Sequence, residues 1–274
     1  MVVILRPPNA AGTFYDINSE MLRKQVDIFF RNADAKDRKR NIVAAIVPHS
    51  YYSYSGQVAA YAYANIDKSN FVILGTNHSR IGSNFALMKT GMWKVPTGDA
   101  IVDEFLANRL LKECNLIEFD VLPHENEFSI EVQLPFILHK FRDIKILPIL
   151  VNNYLPDQIL LEHCKMVGSA IGKLVKREKN WMIIGTSDFS QNIKDVANTD
   201  SKLVKPILKL DPKGFFNRLN ELNANVCGYG TIAATIFAAK EAGAKKAKLL
   251  KYGTSSDLGE TLPTTTGYAS IIFY

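Results

Sequence analysis

Short runs of apolar, β-branched residues alternate along most of the chain with longer stretches whose apolar positions recur every three or four residues. The short runs predict strands at Ile42–Val47, Phe71–Leu74, Lys145–Val151, Trp181–Ile184, Lys248–Tyr252 and Tyr268–Phe273. The longer stretches predict helices at Glu20–Asn32, Gly56–Ile66, Ala100–Glu113, Ser129–Phe141, Leu155–Lys176, Pro212–Leu222 and Thr231–Ala242. Strands separated by helices of this length need crossover connections, which give a mainly parallel sheet covered on both faces. No linker, low-complexity tract or internal repeat breaks the pattern. Residues 1–274 are therefore expected to form one α/β domain with a mostly parallel central sheet.

Ligands of such sheets gather where strands end at their carboxyl edge. Three apolar runs finish alike, in "AIVPHS", "VILGTNHS" and "MIIGTSDFSQ", and a fourth segment, "NANVCGYGT", opens a helix. Each delivers one potential ligand just past its apolar run: His49, His78, Asp188 or Cys227. A lone histidine in such a place is more often a hydrogen-bonded core residue, but two of them with a cysteine and an aspartate point to a shared site. Two imidazoles and a thiolate suit iron(II), copper or zinc better than magnesium or calcium. Cys227 precedes a helix, whose amino terminus is expected to lower its thiol pKa. Cys114 and Cys164 fall within amphipathic helices and read as small buried hydrophobes.

Composition narrows the remaining classes. The three cysteines lack a C-x-x-C pair and do not form a disulfide framework or zinc knuckle. A net charge of +6 raises the question of nucleic acid. The basic runs "RNADAKDRKR", "KLVKREK" and "KEAGAKKAK", however, carry interspersed acids and read as solvated helix faces, without a nucleic-acid motif. No apolar run approaches the roughly 20 residues that span a bilayer, and the amino terminus lacks the pattern of a secretory signal. No membrane partner and a cytoplasmic location are expected.

The segments "RPPNAAGTFYD", "IVPHSYYSYSGQVAAYAY", "VILGTNHS", "FSIEVQLPF", "IIGTSDFSQ", "NVCGYGTIA" and "YGTSSD" follow in order from end to end. Together they resemble the Memo family, also called AmmeMemoRadiSam system protein B, whose fold is similar to class III (LigB-type) extradiol dioxygenases. The resemblance implies a three-layer α/β/α fold and a metal pocket of His49, His78 and Cys227, with Asp188 inside it and Phe14 and Tyr54 on its wall. It also implies a pathway link to a radical-SAM enzyme and an AMMECR-type protein. His124, in "PHENE", matches a further family histidine, and the resemblance implies that it lines the substrate or peptide pocket with Phe14, Tyr54 and Phe128.

Two positions depart from the family pattern. Gln191 stands where S-D-F-S-H would place a histidine, and Phe128 where E-H-S-I-E would place another. By analogy with the dioxygenases, the first lost histidine would move protons, a task glutamine cannot perform near neutral pH. Asp188 and Gln191 remain the candidate catalytic positions. The expectation is a metal-dependent, redox-related protein with weak or no dioxygenase activity on an unknown small molecule. Its rival is a non-enzymatic adaptor that binds a peptide or phosphopeptide in the same pocket, although Arg80 is the only arginine in the pocket motifs. Hydrolysis by Ser50, Ser187 or Ser190 lacks the G-x-S-x-G elbow that would favour it.

Overall fold

All six expected strands are found, and the register in which they pair decides where the polar residues meet. The computed structural model describes residues 4–33, 39, 41–192, 194–258 and 264–274. Its strands are β1 (Leu5–Arg6), β2 (Ala44–Val47), β3 (Asn70–Asn77), β4 (Phe85–Leu87), β5 (Met92–Val95), β6 (Gly98–Val102), β7 (Glu118–Phe119), β8 (Lys145–Asn152), β9 (Trp181–Thr186), β10 (Ala247–Thr254) and β11 (Gly267–Phe273). Its helices are α1 (Ser19–Asn32), α2 (Gln57–Asn65), α3 (Glu104–Glu113), α4 (Leu134–Lys140), α5 (Gln158–Arg177), α6 (Val196–Leu208), α7 (Pro212–Glu221) and α8 (Tyr229–Ala242).

The strands form one sheet in the order β1-β5-β6-β8-β3-β9-β2-β11-β10, with β4 and β7 joined beside β8. Its middle, β6-β8-β3-β9-β2, is parallel throughout. The flanks are antiparallel: β11 and β10 on one side, and the β5–β6 pair on the other. Strand β8 changes neighbour along its outer edge, from β6 at Lys145 and Ile146 to β4 at Ile149 to Val151. Pro148 falls at that handover, where a missing N–H breaks no ladder.

Alternation along the central strands sends residues to two separate cores. Ala44, Ile46, Val72, Leu74, Leu147, Ile149 and Ile183 pack with α3, α5, α6, α7 and α8. Ala45, Val47, Phe71, Ile73, Ile146, Leu150, Met182 and Ile184 pack with α1, α2 and α4. The result is the expected three-layer α/β/α arrangement. No helix among the described residues is long and apolar enough to cross a membrane.

Several expectations need correction. Ala100 is not helical: β6 runs to Val102 with Ala100 and Val102 buried, and α3 starts only after Asp103, whose carboxylate accepts the Leu106 amide. Helix α4 begins at Leu134 rather than Ser129, after a tight turn over Glu131–Gln133 and with Pro135 in its first turn. The run "KEAGAKKAK" is not one helix face. Gly243, at φ 111, ends α8 in a left-handed cap, and β10 follows from Ala247. Residues 34–38 and 40 of "RNADAKDRKR" lie outside the described residues. Helix α6 was not expected, because Pro206 interrupts its sequence; it sits near the helix's carboxyl end.

Candidate metal centre

Parallel pairing brings three strand ends together. In the register, Val47 lies opposite Thr186 and Leu74 opposite Gly185. Continued past the strand ends, this alignment puts His49 level with Asp188 and His78 one residue beyond. The backbone amide of His49 donates to Asp188 Oδ1 at 2.9 Å, which ties the two ends to each other.

The His49 imidazole is 1% exposed. Its Nδ1 lies 2.9 Å from Thr186 Oγ1 and its Nε2 3.1 Å from Cys227 Sγ. Burial, with His78 close by, holds its pKa well below the usual range, so the ring is neutral. With Nδ1–H donated to the threonine hydroxyl, the Nε2 lone pair is free for a cation.

His78 follows β3 and is fixed by a residue the sequence did not single out. Glu127 is 4% exposed, and its carboxylate accepts the His78 amide at 2.9 Å and His78 Nδ1 at 2.9 Å. It also accepts the Ser129 amide. Burial raises its pKa, but the bonds from His78 outweigh that and hold it below the ordinary value. A carboxylate on Nδ1 fixes the tautomer that presents Nε2 to a metal.

Cys227 reaches the strand ends from the loop before α8. Ser190 and Val226 form an antiparallel bridge, and the Gln191 amide donates to Asn225 O at 3.0 Å. Asn153 closes the loop from the other side: its amide donates to Cys227 O at 2.8 Å, and its oxygen accepts the Gly230 amide at 2.8 Å. A side chain at Gly228 would stand 2.7 Å from Ser187 Oγ and from Thr76 Oγ1, so glycine is required for this approach. The Asp188 amide donates to Sγ at 3.1 Å. Contrary to the sequence expectation, burial, reinforced by Asp188, pushes the thiol pKa above its ordinary value. A thiolate in this setting needs a cation beside it.

The nitrogen and sulfur ligand atoms of His49, His78 and Cys227 all lie within 4.8 Å of one another. Donors sharing one tetrahedral ion stand about 3.3–3.8 Å apart, so a small contraction would let all three bind. Asp188 lies beside them, with burial raising its pKa to about 7 against the His49 and Ser50 amides that lower it. Its oxygen is committed to the His49 amide, which suits a clamp better than a free ligand.

Phe128 fills its histidine position by stacking on His78, with centroids 4.6 Å apart. Phe14 stacks on Phe128 at 4.2 Å, and Tyr51 on Phe14 at 4.4 Å, with Tyr54 edge-on to Tyr51. Phe14, Phe128 and Tyr54 thus share one aromatic wall, to which Tyr51 is an unforeseen addition. A cavity of about 160 Å³ opens beside it, between His78, Ile81, Leu122 and Phe128. Gln191 is half-buried, and its backbone pairs with Thr266.

His124 makes its contacts elsewhere. It is fully buried, edge-on to Trp93, with Nε2 3.0 Å from Ala86 O. A carbonyl only accepts, so Nε2 carries the proton and Nδ1 is left buried without a partner. Burial accordingly lowers its pKa to about 4. Because the unfolded chain binds this proton near pH 6.5, stability is retained above that value and lost as pH falls toward 4. The loss attributable to His124 should be roughly 2 kcal/mol between pH 7 and pH 5. Urea denaturation of the parent and His124→Gln at both pH values checks this. The variant should show the shallower dependence, and equal dependences would contradict it.

Comparison with known proteins identifies the family. The profile of one family, described as "Memo-like protein", matches residues 6–272. A "MEMO1 family protein" of Methanosarcina acetivorans is 38% identical over 273 residues, covering 98% of each chain. One of Caldivirga maquilingensis is 33% identical, over 99% of this chain and all of its own length. Another, of Nitrosopumilus maritimus, is 34% identical over 98% of this chain. The chain belongs to the Memo-like protein family.

Proposed function

We propose that the protein holds one redox-active transition metal, iron(II) or copper, on His49, His78 and Cys227, and that it is a redox-related member of the extradiol dioxygenase-like group with weak or no ring-cleaving activity. The convergence of the three donor atoms within 4.8 Å carries this reading. Both histidines have Nδ1 engaged, by Thr186 and Glu127, which leaves each Nε2 for the ion. Zinc also fits the donor set. A bound iron or copper ion would supply one-electron chemistry. The protein's own part is to flank the site with the aromatic wall and to present the Nε2 atoms of two imidazoles. Capture of a phosphorylated peptide is less well supported, because the carboxylates of Glu127 and Asp188 flank the same pocket and would repel phosphate.

Elemental analysis of anaerobically purified protein tests the site. The parent should retain about one equivalent of iron or copper, and Cys227→Ser should lose most of it while remaining folded. Equal metal content in the two would overturn the assignment.

Ring cleavage is expected to be negligible. Proton transfer by a positioned group contributes about 10²–10⁴-fold, and Gln191 cannot supply it. Oxygen uptake with catechols should stay near background for the iron(II)-loaded protein and rise most when Gln191→His and Phe128→His are combined. Robust uptake by the parent, abolished by His49→Ala, would contradict the reading.

A further inference from the structure

The three metal-site residues are not held in the same way. His49 and Cys227 are fixed by the ends of β2 and β9 and by the loop before α8, through Thr186, Asp188 and Ser187. His78 is held by Glu127, which lies outside the central strands, in the irregular segment between α3 and α4. The question is what holds Glu127.

The answer begins at the other end of the chain. Arg6, in β1, is 3% exposed, and its guanidinium donates to three carbonyls. Nε donates to His124 O at 3.0 Å, Nη2 to Glu127 O at 2.6 Å and Nη1 to Pro7 O at 2.9 Å. Nη1 also pairs with the fully buried carboxylate of Glu131, and the guanidinium lies 4.4 Å from the centre of the Trp93 ring. Glu131 in turn accepts the amides of Asn9 and Ala10, at 2.9 and 2.8 Å, and the hydroxyl of Tyr15. Residues 6 to 15 are therefore closed around one carboxylate as a strap, and Phe14 in that strap packs on Phe128.

We infer that Arg6 is a positioning residue for His78: it fixes the main chain of residues 124 to 131, and so fixes the carboxylate that orients the imidazole. A planar fork is needed to span the carbonyls of residues 124 and 127 together with the Glu131 carboxylate. An ammonium can keep the charge but not that geometry. Arg6, His124, Glu127 and Glu131 are all buried, which leaves little access for water to take over the bonds among them. Loosening the strap should disturb one ligand of the three and spare the other two.

The affinity arm of the test rests on the metal-site reading above; the spectroscopic arm does not. Zinc affinity of Arg6→Lys should fall about 10–100-fold, the usual effect of losing a partner behind a ligating histidine. In a His78→Ala background the same change should cost less than about 2-fold, because the ligand it serves is gone. A general loss of stability would instead weaken binding equally in both backgrounds, and that outcome would overturn the inference. In the metal-free protein, imidazole ¹⁵N spectra should show His78 in one tautomer for the parent and in a mixture for Arg6→Lys, with His49 unchanged. Identical His78 signals in both proteins would overturn it too. Should Arg6→Lys fail to fold, Tyr15→Phe removes one bond to Glu131 and should shift His78 in the same direction; no shift would count against the strap. If the parent binds no zinc, the affinity arm is lost while the spectra still decide the role of Arg6.

Discussion

Strand β9 is paired on both edges with parallel neighbours, β2 and β3, and the rest of the site depends on that pairing. Parallel strands share a carboxyl edge, so the residues just past their ends share a level. A one-residue slip of β2 against β9 would turn Ala45 and Val47 to the opposite core, so the buried faces guard the register. The convergence of His49, His78 and Asp188 is thus set by the packing of the sheet, because each is written just past a strand end.

This explains why His49, His78 and Asp188 were legible in the sequence. Each follows an apolar run that can be recognised as a strand, and crossover topology fixes its direction. Cys227 was legible only through its glycine neighbours and the family resemblance, because no strand delivers it. The helix after it is visible in sequence, but the desolvation and the nearby Asp188 that raise its thiol pKa are tertiary facts. His124 shows the same limit. A histidine in a loop motif looks available, yet it sits fully buried against Trp93 and the Ala86 carbonyl. Glu127 and Arg6 carried no signal, since a carboxylate or guanidinium in a loop reads as surface until the chain folds over it. The β5–β6 hairpin was missed because its strands are short and run directly into α3.

Phe128 gives the departure from the family pattern a physical shape. It does not leave a hole where a histidine would stand. It joins the rings of His78, Phe14 and Tyr51 into one stack, so Phe128 covers one face of His78. This stacking supports the proposed reading of a site with weak or no ring-cleaving activity.

X-ray absorption on the zinc-loaded protein tests the central claim most directly, because zinc is redox-silent and reports the ligands alone. The account predicts a sulfur at about 2.3 Å and imidazole nitrogens at about 2.0–2.1 Å, with the sulfur missing in Cys227→Ser. A shell of oxygen and nitrogen without sulfur in the parent protein would contradict it.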